Sequence, residues 1–131
     1  MKLLNQLTAL LITTSILIVA CKSKSPKELI VNKWTMTNIS GKGSNMITDS
    51  MKNAMYGKAS IEFMKDGRFE VSQMGNQPTK GTYSITDDGK YLVTTDDGKT
   101  MADSLVVMDL TSAKLDVNIK KEDISMTFKS K

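Results

Sequence analysis

Ile61-Glu62-Phe63-Met64-Lys65-Asp66-Gly67-Arg68-Phe69-Glu70-Val71-Ser72 is the stretch that decides the fold. Ile61 and Phe63, then Phe69 and Val71, alternate with Glu62, Arg68, Glu70 and Ser72. In a strand, successive side chains point to opposite faces, so each run has one apolar face and one wet face. Asp66-Gly67 between the runs supplies the turn, and the whole reads as a β-hairpin with one buried face.

The same pattern extends in both directions. Thr79 to Ile85 places Gly81, Tyr83 and Ile85 on one face, and Lys90 to Thr95 follows. The pentapeptide Thr-Asp-Asp-Gly-Lys occurs at Thr86 to Lys90 and again at Thr95 to Lys99, flanking that strand. Paired aspartates suit a hard cation such as calcium. The ligand spacing of a calcium loop is absent, however, and each glycine sits where a three-residue hairpin needs positive φ. Turn chemistry is the better reading, because copies at opposite ends of one strand cannot share an ion. Ser104 to Leu110, Lys114 to Ile119 and Asp123 to Phe128 continue the meander through the tight connections Thr111-Ser112-Ala113 and Lys120-Lys121-Glu122. With Leu29 to Ile39 as the first strand, about eight sequential strands result. An all-β, eight-stranded up-and-down antiparallel barrel is expected, since eight strands suffice for closure.

One stretch breaks the period. In Asn45 to Gly57, Met46, Ile47, Met51, Ala54 and Met55 recur at spacings of three and four, which predicts one short amphipathic helix between strands one and two. Gly41-Lys42-Gly43-Ser44 before it reads as a flexible lead-in.

The N-terminus is of a different kind. Lys2 is followed by an apolar run from Leu7 to Val19 and the small residue Ala20. Leu7 to Ala20 is 14 residues, short of the about 20 that a helix needs to span a bilayer. This is the make-up of a signal peptide covering 1–20. Leu17-Ile18-Val19-Ala20-Cys21 resembles the lipobox of a bacterial lipoprotein. That resemblance implies diacylglycerol on the Cys21 thiol, acylation of its freed amine, and a membrane partner through the lipid anchor; two or three chains give stable attachment. No other cofactor is implied. Residues 21–28 are then the lipidated cysteine and tether, and 29–131 the barrel domain. The mature chain has 131 − 20 = 111 residues, enough for one small core, and no disulfide, because Cys21 is the only cysteine. Lys22, Lys24 and Lys27 make the tether basic; without them the domain is near neutral, so nucleic acid is not an expected partner. Some lipoproteins of Bacteroidetes carry acidic residues just after the cysteine as a surface-export signal. The lipobox resemblance implies a lipid-anchored protein of the bacterial cell envelope, expected at the outer membrane, and the basic tether favours its facing the periplasm.

The barrel domain also resembles a family. Asn32-Lys33-Trp34 looks like the Gly-x-Trp signature of lipocalins, with Asn32 in the glycine's place. Glu62-Phe63-x-x-Asp66-Gly67-x-Phe69, Lys80-Gly81-Thr82-Tyr83-Ser84-Ile85 and Leu110-Thr111-x-x-Lys114-Leu115 follow the pattern of lipocalin-like lipoprotein domains common in Bacteroidetes. The resemblance implies a small calyx for a hydrophobic or amphipathic ligand, closed at one end by the tryptophan and capped at the mouth by the helix. Trp34 and Tyr83 are the expected lining aromatics, Phe63 and Phe69 the walls, and Met51 and Met55 the lid. The arginine pair that grips a carboxylate in fatty-acid carriers is missing: Arg68 stands alone, with a parity that points it outward.

Two readings of function stand. Bulky inward candidates such as Trp34, Met36, Phe63, Phe69, Leu115 and Phe128 could fill a barrel this short, leaving a structural lipoprotein that binds an envelope protein. A helix stripe of Met46, Met51 and Met55 suits an adaptable lid over a ligand, or a plug. In the sixth strand, Leu105/Val107 and Val106/Met108 compete for the inner face. Histidine is absent, the lone cysteine is acylated, and no serine sits in a nucleophile motif, so neither an enzyme nor a metal site is expected.

Overall fold

In the computed structural model, residues 23–73 and 75–131 are described; the leader and Cys21 lie outside them. Eight antiparallel strands form a closed barrel in chain order. They are β1 (Lys33–Ser40), β2 (Ser60–Phe63), β3 (Arg68–Ser72), β4 (Thr79–Ile85), β5 (Tyr91–Asp96), β6 (Asp103–Leu110), β7 (Lys114–Ile119) and β8 (Ile124–Ser130). The decisive hairpin pairs as its alternation requires, with Ile61 opposite Val71 and Phe63 opposite Phe69, while Glu62 faces Glu70 on the outside. Asp66 accepts the Arg68 backbone N–H, and Gly67 has φ 85°, the left-handed conformation that the turn demands. Gly89 and Gly98, the glycines of the repeated pentapeptide, likewise have positive φ, at the two ends of β5.

Closure is made by β1 and β8, paired from Trp34–Ser130 to Ser40–Ser125 around a bulge between Met36 and Asn38. The bulge shifts the inward parity, so Ile39 joins Trp34 and Met36 in the core. A second bulge between Val107 and Asp109 of β6 does the same for Leu110. Leu105 and Val107 take the inner face, opposite Leu92 and Val117, and Met108 is left outside.

Gly81 explains how the aromatic wall fits. It lies opposite Phe69 in the β3–β4 ladder. A Cβ there would stand 2.6 Å from the Phe69 ring and would collide with the Thr95 carbonyl. The missing side chain is the space that the phenylalanine occupies.

Three local features differ from the sequence reading. The first strand starts at Lys33, not Leu29, because Pro26–Ile30 forms a helical turn, α1. Ser25 and Glu28 make a capping box, and proline stands in the first turn where its missing N–H costs nothing. The end of the expected tether is therefore folded. Secondly, the lead-in is not open loop: Lys42–Met46 is a short 3-10 helix. Ser44 is buried there, donating to the Gly41 carbonyl, and Gly43 packs on the Glu122 backbone. Thirdly, the helix between β1 and β2 is shorter than its periodicity suggests. It is α2 (Asp49–Met55), with Thr48 as N-cap and no buried residue.

Candidate functional site

The two ends of the barrel are built differently. At the start of β1, α1 lies across the opening and seals it. Ile30 and Trp34 are both 0% exposed, and the Trp34 indole N–H donates to the Ile30 carbonyl at 2.9 Å. Behind them Phe63, Leu92 and Leu115 are almost wholly buried. Phe63 packs edge-on to Tyr83 at 4.8 Å between ring centroids and tilted against Phe69 at 6.3 Å. The Tyr83 hydroxyl donates to the Met64 carbonyl at 2.8 Å. Burial, helped by the Asp66 charge, raises the pKa of this phenol. Phe63, Phe69 and Tyr83 thus form one aromatic group, and with the buried Trp34 they belong to a packed floor.

The opposite end is looser. Ile61, Val71, Leu105, Ile124 and Met126 belong to the core cluster, yet each is only partly buried. The seam between β1 and β2 also opens in this direction. Their ladder pairs only Lys33–Glu62, Trp34–Ile61 and Thr35–Ser60, extended by bonds between Met36 and both Gly57 and Ala59. Beyond it, the Ile39 N–H donates to the Tyr56 hydroxyl in place of a neighbouring strand. This is where α2 sits. Met55 packs on the core, whereas Met51 is 56% exposed. Between α2 and the β3–β4 loop is a cleft of about 220 Å³, lined by Met51, Ala54, Met55, Ala59, Gln73 and Asn76. Met46 on the 3-10 helix and Met101 on the β5–β6 loop stand exposed at this same end.

The predicted site residues therefore separate into two sets. The four aromatics make the floor and the two methionines lie at the mouth. Sequence reading missed Ile30, Leu92 and Thr94 as inward groups and Tyr56 as the residue that completes the seam. For Ile30 a signal was present in Ser25-Pro26-Lys27-Glu28, the capping box before it. A larger cleft of about 560 Å³ lies outside the barrel at the sealed end, between α1 and the β2–β3 turn, with Val31, Tyr83 and Ile85 beside Lys27 and Lys65.

Charged groups go to exposed pairs. Arg68 and Asp97 form a double hydrogen bond on the outer wall, at 3.0 Å and 2.6 Å, which holds the Asp97 carboxyl below its usual range. Asp87 pairs with Lys27 and Asp96 with Lys99, while Asp88 accepts from Thr86 and the Lys90 N–H. The four aspartates of the repeats thus serve separate turns, and among the described residues no three acidic groups gather as a cation site would require.

No family model and no curated protein matches this chain. Among solved structures, the fold is similar to that of a DUF4847 family protein from Bacteroides vulgatus ATCC 8482. The two are 13% identical with a TM-score of 0.55, over 77% of this chain and 93% of that one. At that identity the likeness shows the fold alone, an eight-stranded antiparallel barrel of calycin-like form.

Proposed function

We propose that this protein is a lipid-anchored, non-enzymatic binding barrel of the bacterial envelope, taking one small hydrophobic or amphipathic molecule at the end covered by α2. The observation that carries the reading is the contrast between the ends. At the mouth Ile61, Val71, Leu105, Ile124 and Met126 keep partial contact with solvent, whereas Ile30, Trp34, Phe63, Leu92 and Leu115 at the floor are almost wholly buried. A helix with no buried residue, held over a seam by a tyrosine hydroxyl, is a poor plug and a good lid. At about 220 Å³ the closed cleft is below the about 300 Å³ at which small-molecule sites begin, so entry requires α2 to move. Selection would then rest on shape and on the adaptable thioethers of Met51 and Met55. Anchoring through Cys21, with the periplasmic face of the outer membrane as its address, is supported by the lipobox-like run and the basic tether.

The test is displacement of a polarity-sensitive apolar dye from the soluble domain by a panel of apolar molecules. Saturable one-to-one binding that Met51→Asp weakens supports the lid; absence of any dye uptake refutes it. A second reading, docking of an envelope protein, is favoured by the exposed Met46, Met51 and Met101 on three elements of the same rim. It predicts a flat ligand panel and a co-purifying partner lost on changing those methionines to serine.

A further inference from the structure

The binding reading leaves open which way the mouth faces, and the geometry of the sealed end answers that question. We infer that the anchored barrel stands on its α1 end, leaning on the β5–β6 edge, with that end in contact with the lipid surface and the mouth turned away from it. The inference rests on the anchoring of Cys21.

Reach comes first. Cys21 precedes Ser25, the N-cap of α1, by four residues, which span at most about 14 Å fully extended. Strands of seven or eight residues make a barrel about 18–20 Å tall at the usual tilt. A mouth-down barrel would hold the base of the tether higher than the tether can span. Because α1 is capped by its own box and tied to the core through Ile30 and Trp34, the attachment point is fixed to the sealed end.

The surface chemistry of that end agrees. Among the described strands, outward apolar side chains concentrate on β5 and β6. Tyr91 and Val93 on one meet Val106 and Met108 on the other, with Tyr91 directly opposite Val106. The outward groups of β2, β3, β4 and β7 are Ser, Thr, Lys, Arg, Glu, Asp and Asn. Tyr91 and Met108, at the sealed end of this stripe, are 45% and 67% exposed. A tyrosine with a wet tip and an apolar ring suits a membrane–water interface. On the other side of α1, the cleft of about 560 Å³ offers Val31, Tyr83 and Ile85 to an acyl stem and Lys27 and Lys65 to a headgroup. Charge at this end is mixed: Lys24, Lys27, Lys33, Lys65, Lys90, Lys114 and Lys131 stand among Glu28, Asp66, Asp87, Asp88 and Asp109, a small basic excess that finds no net opposite charge on a zwitterionic surface. Neutral lipid should suffice, and salt should not disturb it. One consequence bears on function. A ligand reaching the mouth comes from the aqueous side or from another protein, not straight from the bilayer beneath.

The experiment uses the full lipidated chain on phosphatidylcholine vesicles carrying a headgroup nitroxide. With Cys21 blocked by its lipid, single cysteines can be labelled with a fluorophore at Lys65→Cys and Ser112→Cys on the sealed end, and at Asn53→Cys and Lys121→Cys at the mouth. Flotation of the same samples reports the anchor. Several-fold stronger quenching at 65 and 112 than at 53 and 121, unchanged by salt, is expected. Tyr91→Ser with Met108→Ser should remove the lean, bringing quenching at 112, beside the β5–β6 edge, down toward that at 65, while the tether keeps both above 53 and 121 and flotation persists. Flotation with equal quenching at the two ends, or with the mouth labels quenched more, overturns the orientation alone; a ratio of quenching at 112 to that at 65 that the double variant leaves unchanged overturns the edge contact. Failure to float overturns the anchor, and the orientation with it.

Discussion

Ile30→Ala is the sharpest probe of whether α1 belongs to the barrel or to the tether. Ile30 is completely buried and its carbonyl accepts the only tryptophan's indole N–H. Removing three carbons from an enclosed site forfeits about 0.8 kcal/mol each in transfer free energy, about 2.4 kcal/mol in all. The cavity left behind adds to this, and Ile→Ala changes in cores cost about 2–5 kcal/mol. Relaxation is limited here, because Trp34 is pinned by its hydrogen bond and the floor aromatics are packed behind it. We therefore expect a loss of about 3 kcal/mol. With a urea slope of about 1.5 kcal/mol/M, the unfolding midpoint should fall by about 2 M. Val31→Ala, on a half-exposed neighbour, is the control and should change stability by less than about 0.5 kcal/mol. Urea titration followed by Trp34 emission measures both. A loss below about 1 kcal/mol for Ile30→Ala would sink the reasoning: α1 would then be a detachable end of the tether, and the orientation drawn from its rigidity would fall too.

Met51→Asp should leave the urea midpoint nearly unchanged, since the side chain is mostly exposed, but should weaken apolar-dye uptake at the mouth; a matching loss of stability would make α2 a plug. Gly81→Ala should destabilise by about 1–3 kcal/mol or prevent folding, because the added methyl meets backbone on one side and the Phe69 ring on the other. Tyr83→Phe tests a pH effect whose sign follows from burial. The phenol's pKa is raised in the fold, so its contribution is complete below the unfolded value of about 10 and is lost as pH rises through the folded value. The variant should be less stable by about 1 kcal/mol at pH 7 through loss of its bond to Met64, and its stability should fall less steeply between pH 10 and 12, as read by urea titration at each pH.

How much of this was legible in sequence depended on the range of the signal. Alternation and turn residues are local, so the Ile61–Ser72 hairpin and both pentapeptide turns could be read directly. Closure was legible as a count of strands, but its register was not. The bulges at Met36–Asn38 and Val107–Asp109 move Ile39 and Leu110 inward against strict alternation, and a bulge leaves no compositional mark. The candidate site shows the same limit. The aromatic residues were identifiable as inward by parity. Whether they line a cavity or make a floor depends on α1, whose Ile30 is buried together with Phe63, Leu92 and Leu115 from strands distant in sequence. Likewise, the methionine spacing announced a helix at the mouth, though not how lightly it is held.

Division of the barrel into a packed floor and a looser mouth also decides which reporter can see a ligand. Trp34 is the natural fluorophore, but it sits at the floor, fully buried and hydrogen-bonded to a backbone carbonyl. A molecule entering beneath α2 first meets Met51, Met55 and Ala59, and need not change the surroundings of Trp34 at all. A flat Trp34 response therefore cannot separate a filled barrel from an occupied mouth. Placing the fluorophore at the lid removes the ambiguity. In Trp34→Phe with Met55→Trp, the emission of the relocated indole should shift and sharpen on ligand entry, because Met55 already touches the core from a helix that solvent can reach. If that double variant folds and its emission stays unchanged across a panel of apolar molecules, the mouth takes no such ligand. The exposed methionines of the rim are then surface for a protein partner.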